Sequence, residues 1–248
     1  MKYDIIVIGA GIVGLGTALK LLEKKPNLKL LIVEKESEVA KHQTGNNSGV
    51  IHSGLYYKPG SLKATNCING YNLLVAFCQK HEIPFELCGK VVVATSTEEI
   101  PLLENLAKRG QENGLANIKT LSAEEIKEYE PHVRGVKGIY VQQTGIVDYS
   151  LVALKLAEVI CQMGGEITYG EKVIDLKTNH QGCSITTDQA TYESKNIVNC
   201  AGLYSDKVAQ FTNHLLNLKI IPFRGEYYKL SKEKEHLVKN LIYPVPDP

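Results

Sequence analysis

Apolar residues arrive along this chain in two rhythms, and their alternation predicts an α/β fold. Asp4–Ile8 carries a β-branched run (Ile5, Ile6, Val7, Ile8), the texture of a strand buried on both faces. After Gly9-Ala10-Gly11-Ile12-Val13-Gly14 the period changes, and Ile12, Leu15, Ala18, Leu19 and Leu22 fall on one helical stripe. Pro26-Asn27 ends that helix, and Lys29–Val33 is a second strand closed by Glu34 and Lys35. The helical period returns over Asn66–Lys80 (Ile68, Tyr71, Leu74, Val75, Cys78). Lys90–Thr95 is a buried strand, and Ser96-Thr97-Glu98-Glu99 has the capping-box spacing for a helix ending near Asn113. Ser122–Glu125 repeats that device before a short helix stopped by Pro131, and Gly138–Val141 is a further strand. Asp148 or Ser150 caps a helix over Leu151–Met163, which Gly164-Gly165 terminates. Strands then follow at Glu166–Tyr169, Lys172–Lys177, Ser184–Thr187, Ala190–Glu193 and Asn196–Cys200. Val198–Asp206 passes from strand through small residues into a helix, and Lys219–Leu230 reads as a last strand.

The alternation of strand and helix pauses over residues 86–145 and then resumes. Two discontinuous domains are therefore expected: residues 1–85 with 146–215, and residues 86–145 with 216–248. The first would hold a parallel sheet with a β-meander, the second an inserted α+β arrangement.

The glycines of the first turn have distinct duties. Gly9 permits the tight turn, Gly11 lets a pyrophosphate approach bare backbone, and Gly14 lets helix and strand pack closely. The helix N-terminus behind them offers orphan N–H groups and a positive partial charge to phosphates. Glu34, 20 residues after Gly14, can accept hydrogen bonds from ribose hydroxyls, and its charge would repel a 2′-phosphate. Strand, glycine turn, helix, strand and acid together specify an adenine-dinucleotide site, against the alternative of a purely structural glycine turn.

Bulk properties narrow the function without naming it. A formal net charge of +1 gives no electrostatic reason to expect nucleic acid as a partner. Apolar content of 44% with charged content of 22% fits an ordinary globular chain, and no apolar run reaches the ~20 residues of a spanning helix. The six cysteines stand singly with no C-x-x-C, so they are expected to be core thiols rather than disulfides, and no His/Cys cluster has metal-site spacing. The chain enters a core strand at once with no charged leader, which predicts a cytoplasmic setting, with contact at the periphery of the inner membrane left open.

The stretch from Lys41 to Gly54 (KHQTGNNSGVIHSG) is polar and small, without the period of a surface helix. It lies just after the second strand, near the carboxyl ends of the strands where ligands bind in such folds. Thr44, Asn46, Asn47 and Ser48 could bond ribityl or pyrophosphate groups, while Gly49 and Val50 bring backbone close. An ordinary Asx-rich series of turns is the alternative.

Taken with Leu55–Lys63 and Gly145-Ile146-Val147-Asp148, this stretch resembles the D-amino-acid-oxidase-like FAD-dependent oxidoreductase superfamily, and within it the L-2-hydroxyglutarate dehydrogenase/oxidase family. The resemblance covers essentially the whole chain, and Gln43–Lys63 is its most specific part. It implies FAD as cofactor rather than NAD, and a small-molecule 2-hydroxy acid as substrate rather than an amine. It also implies adenine contact through the backbone of Val173, and close approach of the dinucleotide at Ala201 and Gly202. The family's pattern continues beyond Tyr243–Pro248, so a closing strand–helix is expected to be missing. A seam left by that absence would favour self-association.

Two residues stand out as catalytic candidates. His52 could act as base, hydrogen-bond donor or covalent flavin anchor, against the alternative of satisfying loop backbone. Arg224 could grip a carboxylate with a bidentate fork, or serve structure or flavin tuning. Tyr56, Tyr57 and Lys58 form a polar-aromatic rim that could meet substrate. His42, His81, His132, His180, His214 and His236 belong to no recognisable constellation. Amine or amino-acid oxidase, glycerol-3-phosphate dehydrogenase, and a non-catalytic FAD-binding fragment are the competing readings.

Overall fold

A computed structural model describes residues 2–212 and 217–246, so His214 and the expected domain boundary at 215/216 lie outside the described residues. In chain order the elements are β1 (Lys2–Ile8), α1 (Ile12–Lys24), β2 (Leu30–Val33), β3 (Val50–Ile51) and α2 (Leu62–Lys80). Then come β4 (Phe85–Glu86), β5 (Lys90–Ala94), α3 (Ile100–Glu112), β6 (Lys119–Ser122), α4 (Ala123–Tyr129) and β7 (Lys137–Val141). The series closes with β8 (Gly145–Val147), α5 (Tyr149–Gln162), β9 (Glu166–Thr168), β10 (Val173–Asn179), β11 (Gly182–Thr187), β12 (Thr191–Asn199), α6 (Ser205–Gln210) and β13 (Leu241–Pro244). Contacts divide the chain into one unit of residues 1–48 and 148–225, and another of residues 49–147 and 226–248. Residues 49–85 thus fall in the second unit rather than with the glycine turn as expected. The reason is local pairing: β3 and β4 both pair with β8, which ties the segment to its own sheet.

The first unit is a six-stranded sheet in the order β10-β11-β12-β1-β2-β9. Strands β12, β1, β2 and β9 run parallel, and β10, β11 and β12 form an antiparallel meander. All four residues of β2 are buried, as a continuous apolar run between two covered faces requires. The stripe of α1 buries Leu15, Ala18, Leu19 and Leu22, each large side chain contributing roughly 1.5–3 kcal/mol over an exposed one. Gly14 is buried on the same stripe, and α1 packs against α5.

Strand β12 runs unbroken where two strands are expected. Its polar Ser194–Asn196 interior is held extended by ladders on both edges, β1 from Glu193 to Asn199 and β11 from Thr191 to Ser194. Ser194 Oγ finds its acceptor within the strand, at the Asn196 carbonyl 2.9 Å away. The expected strand at 219–230 does not form. Residues 217–230 are irregular and, apart from half-buried Ile220, exposed, with Phe223 and Tyr228 bare, and no described strand pairs with them to supply a ladder.

The second unit has a four-stranded sheet, β13-β5-β7-β6, and a three-stranded one, β3-β8-β4. Strand β5 is buried on both faces. Val92 and Ala94 pack with Leu103, Leu106 and Leu55 on one side, and Val91 and Val93 with Leu121 and Ile126 on the other. The capping box at Ser122 forms in full: Ser122 Oγ accepts from Glu125 N–H, and Glu125 returns a carboxylate to Ser122 N–H. At Ser96 it does not. Pro101 starts α3 late, Thr97–Glu99 is a 3₁₀ turn, and the Glu99 carboxylate reaches back to Thr95 N–H at 2.7 Å. Helix α2 begins a turn earlier than expected because Ser61 caps it, accepting from Ala64 N–H at 3.2 Å. The six cysteines are free, but only Cys78 is buried and Cys161 is exposed, so they are not a set of core thiols.

Candidate functional site

The glycine turn of the first unit is built as its sequence requires. Gly9 has φ +102°, a region glycine enters without a Cβ penalty, and a Cβ there would meet the Cys200 carbonyl oxygen at 2.5 Å. A Cβ at Gly14 would lie 1.9 Å from the Gly9 oxygen, so glycine sets how closely α1 approaches β1. Gly11 is the N-cap of α1 and brings no side chain to it. One orphan donor is met from afar, since Ile12 N–H donates to Thr44 Oγ1 at 3.0 Å. The Val13 and Gly14 N–H groups find no acceptor among the described residues, and the Val13 side chain is exposed. Glu34 faces this turn: its Oε2 accepts from Ala10 N–H at 2.6 Å and its Oε1 from Glu36 N–H at 3.0 Å.

The loop behind the turn uses part of its own polarity. Asn46 Nδ2 donates to the Lys41 and His42 carbonyls, and Asn47 Nδ2 to those of Gln43 and Thr44. Ser48 is exposed at its end. Lys35 pairs with Glu36 and His42, and its ammonium lies 5.1 Å from the Tyr204 ring centre. Glu36 is held down to about 2 by Lys35 first and His42 second. His42 therefore does belong to a constellation, one invisible at the spacing of the sequence.

Ala201 sits beside the turn, its Cα 3.4 Å from the position of a Gly9 Cβ, and its N–H donates to Asn199 Oδ1 at 3.2 Å. Gly202 adopts φ +56° with open space around it. Val173 is the first residue of β10 and packs on the core of Tyr3, Ile6 and Ile8. Arg224 lies exposed on the irregular segment of this unit. The structure thus gathers Gly9, Gly11, Ile12, Gly14, Glu34, Thr44 and Ala201 about one helix start. This donor set suits a dinucleotide: free N–H groups and a bare N-cap for phosphates, with a carboxylate alongside for ribose hydroxyls.

Gly49, Val50 and His52 belong to the second unit. Gly49 has φ +68° and its carbonyl accepts from Val147 N–H, while Val50 is buried and pairs with Ile146. His52 is exposed, and its imidazole is held below the usual histidine value by desolvation first and by the Lys90 charge second. Its carbonyl accepts from Cys67 Sγ–H at 3.4 Å. Lys90 is the residue that sequence reading missed. It heads β5 on the Val92 face, is 1% exposed, and is pushed down to about 8 by burial. Its Nζ lies 4.4 Å from the Tyr56 ring centre and 5.0 Å from that of Tyr243. The available signal was a lysine opening an otherwise wholly apolar strand. Tyr57 and Lys58 of the expected rim are exposed; Tyr56 is not.

Comparison with known proteins agrees with this geometry. The family model described as FAD dependent oxidoreductase (DAO) matches residues 4–248. An L-2-hydroxyglutarate dehydrogenase from Indibacter alkaliphilus is 58% identical over all of this chain and 62% of its own length. The mitochondrial L-2-hydroxyglutarate dehydrogenase of Homo sapiens is 43% identical, with 99% of this chain and 56% of its own length covered. Among solved structures, the FAD-bound L-alpha-glycerophosphate oxidase of Mycoplasma pneumoniae superposes with a TM-score of 0.82 at 25% identity, covering 99% of this chain and 66% of that one. The chain therefore spans less than two thirds of the length of these relatives. No helix of the described residues is long and apolar enough to cross a membrane. A glycine turn faced by a carboxylate, a mixed sheet with a meander, and a family match along nearly every residue lead to one assignment: the chain belongs to the DAO family of FAD-dependent oxidoreductases.

Proposed function

We propose that this chain binds FAD and serves the oxidation of a 2-hydroxy acid, L-2-hydroxyglutarate, to its 2-oxo acid, with electrons passed on to oxygen or a quinone. The observation that carries the reading is the Glu34 carboxylate directed at the Gly9–Gly14 turn, in a chain 58% identical to a named L-2-hydroxyglutarate dehydrogenase. Bound FAD would supply the hydride acceptor for the substrate carbon. The α1 N-terminus, with its open N–H groups, would hold the pyrophosphate, and Glu34 would accept from the ribose hydroxyls. Asn46, Asn47 and Ser48 line the approach, and Lys35 is steadied by Glu36 and His42. With FAD bound, the Val173 backbone would hold the adenine, and Ala201-Gly202 would let the dinucleotide pass close to the chain. His52, neutral at physiological pH because its imidazole is depressed, accepts the hydroxyl proton at a ring nitrogen. Arg224 grips a carboxylate.

Three further points belong to this reading. The residues 1–48 and 148–225 form the FAD-binding domain, and residues 49–147 and 226–248 contribute the substrate domain. The free cysteines support a reducing compartment such as the cytoplasm, and the near-zero net charge supports a partner set without nucleic acid. The bare Phe223, Tyr227 and Tyr228 support self-association or peripheral membrane contact along 217–230. The glycerophosphate oxidase likeness favours one competing substrate, glycerol 3-phosphate. Anaerobic addition of each acid to the flavin-loaded chain separates them. L-2-hydroxyglutarate is expected to bleach the flavin's visible absorbance, and bleaching by glycerol 3-phosphate or an amino acid alone would reject the assignment.

A further inference from the structure

Strand β5 opens with a lysine at a position its neighbours make apolar. Lys90 shares the face of Val92 and Ala94, beside the cluster of Leu55, Leu103, Leu106 and Val141. An ammonium carries three donors, and no oxygen of the described residues accepts from this one. Its company is instead two ring faces, those of Tyr56 and Tyr243, whose centres stand 6.4 Å apart, with the Cys67 thiol and the His52 imidazole as the titratable groups that feel its charge. Ring faces stabilise a cation but satisfy no N–H. The Tyr56 hydroxyl beside it is buried with no partner among the described residues. The cluster holds donors in excess, and a buried cation without a counter-charge is retained at a cost in stability.

The arrangement is also held in place. Asn113 Nδ2 donates to the Gly54 carbonyl at 3.0 Å and to that of Tyr57 at 2.9 Å, and Arg109 donates to the Tyr56 carbonyl at 3.1 Å. Helix α3 thereby fixes the backbone on either side of Tyr56. Exposed His52 feels the Lys90 charge, so the ammonium lies electrostatically close to a residue that meets solvent.

We propose that Lys90, beneath Tyr56 and Tyr243, receives a carboxylate of the substrate and is the cation by which the second unit recognises a dicarboxylic acid. What the cluster lacks is an anionic acceptor with two oxygens, and a carboxylate supplies one to Lys90 and one to the Tyr56 hydroxyl. The proposal rests on the 2-hydroxy acid reading above and adds the residue that selects its acid group.

The test is a proton titration of Lys90 in the full 248-residue chain, followed by NMR of lysine labelled with ¹³C at Cε. It is run with and without FAD, and with L-2-hydroxyglutarate, glutarate or inorganic phosphate. Saturating L-2-hydroxyglutarate or glutarate is expected to raise the Lys90 midpoint by about one pH unit or more, since a carboxylate favours the charged form. Lys90→Met is expected to weaken L-2-hydroxyglutarate binding about tenfold or more with FAD affinity unchanged. An unmoved Lys90 midpoint, or a Lys90→Met chain that folds and binds the acid like wild type, overturns the proposal. A phosphate shift equal to the carboxylate shift overturns the carboxylate assignment. Failure of the wild-type chain to capture FAD would instead strike the reading beneath, and a Lys90 shift in that flavin-free chain would leave the present proposal standing. The wild-type titration decides the matter even where Lys90→Met fails to fold.

Discussion

Helix α1 carries two glycines two residues apart, and the same substitution at each should move stability in opposite directions. At Gly14 a new Cβ would stand 1.9 Å from the Gly9 carbonyl oxygen, 3.1 Å from the Gly9 carbonyl carbon and 3.4 Å from Cys200 Cβ. The first two are backbone atoms of the turn and cannot swing aside. Relieving the contact requires α1 to retreat from β1 by about an ångström or more, given optimal carbon contacts of about 3.5–4.0 Å. Such overpacking costs about 3 kcal/mol at the rigid end of its range. Alanine's better helix propensity returns about 1 kcal/mol, leaving Gly14→Ala about 2 kcal/mol less stable. At Gly16 a Cβ meets nothing within 4 Å, so Gly16→Ala keeps only the propensity gain, ~0.5–1 kcal/mol. The two variants should differ by roughly 3 kcal/mol. The chain has no tryptophan, so urea unfolding is best followed by circular dichroism. Equal stability of the two variants would refute the claim that Gly14 sets the α1–β1 distance.

Other outcomes follow from the same contacts. Glu34→Ala strips the Ala10 and Glu36 N–H groups of their acceptor and should weaken FAD binding about tenfold or more in a fluorescence titration, each charge-assisted bond being worth about 1.5–3 kcal/mol. Glu130 is fully buried and accepts from Lys239 and Asn240 N–H, so Glu130→Ala should cost about 3 kcal/mol and speed amide exchange in β13 ahead of β7. Burial pushes Lys90 down to about 8 in the folded chain from the ordinary lysine value of 10.5, so the unfolded chain binds its proton more tightly. The resulting penalty, about 3 kcal/mol, is fully present below pH 8 and fades as pH rises to 10.5. The stability of wild type relative to Lys90→Met should therefore climb through that window, and a flat difference would contradict it.

The parts of this molecule legible in its sequence are those fixed by neighbours along the chain. Gly9, Gly11, Gly14 and Glu34 declared the turn because each duty lies within one strand–helix–strand unit. Ser122 and Glu125 declared their cap for the same reason. Local spacing failed where a distant group decided the outcome. Ser96 lost its box to Pro101, which moved the helix start, and the break expected between the strands at Glu193 and Asn196 closed because β1 pairs on both sides of it and β11 pairs as far as Ser194. The Thr44 hydroxyl accepts from the first N–H of α1 across 32 residues, a contact that local spacing does not show. Lys90 became notable only once Tyr56 and Tyr243, 34 residues before and 153 after it, were seen to enclose it. The 219–230 segment has the composition of a strand, but composition cannot supply a partner for its ladder.

Equilibrium titration of the purified chain with FAD and, separately, with NAD decides whether the Gly9–Gly14 turn holds a flavin dinucleotide. Saturable capture of FAD at one per chain is expected, with clear preference over NAD and with loss of capture in Gly11→Val, whose side chain would cover the helix start. Preference for NAD, or FAD binding that Gly11→Val leaves intact, would contradict it.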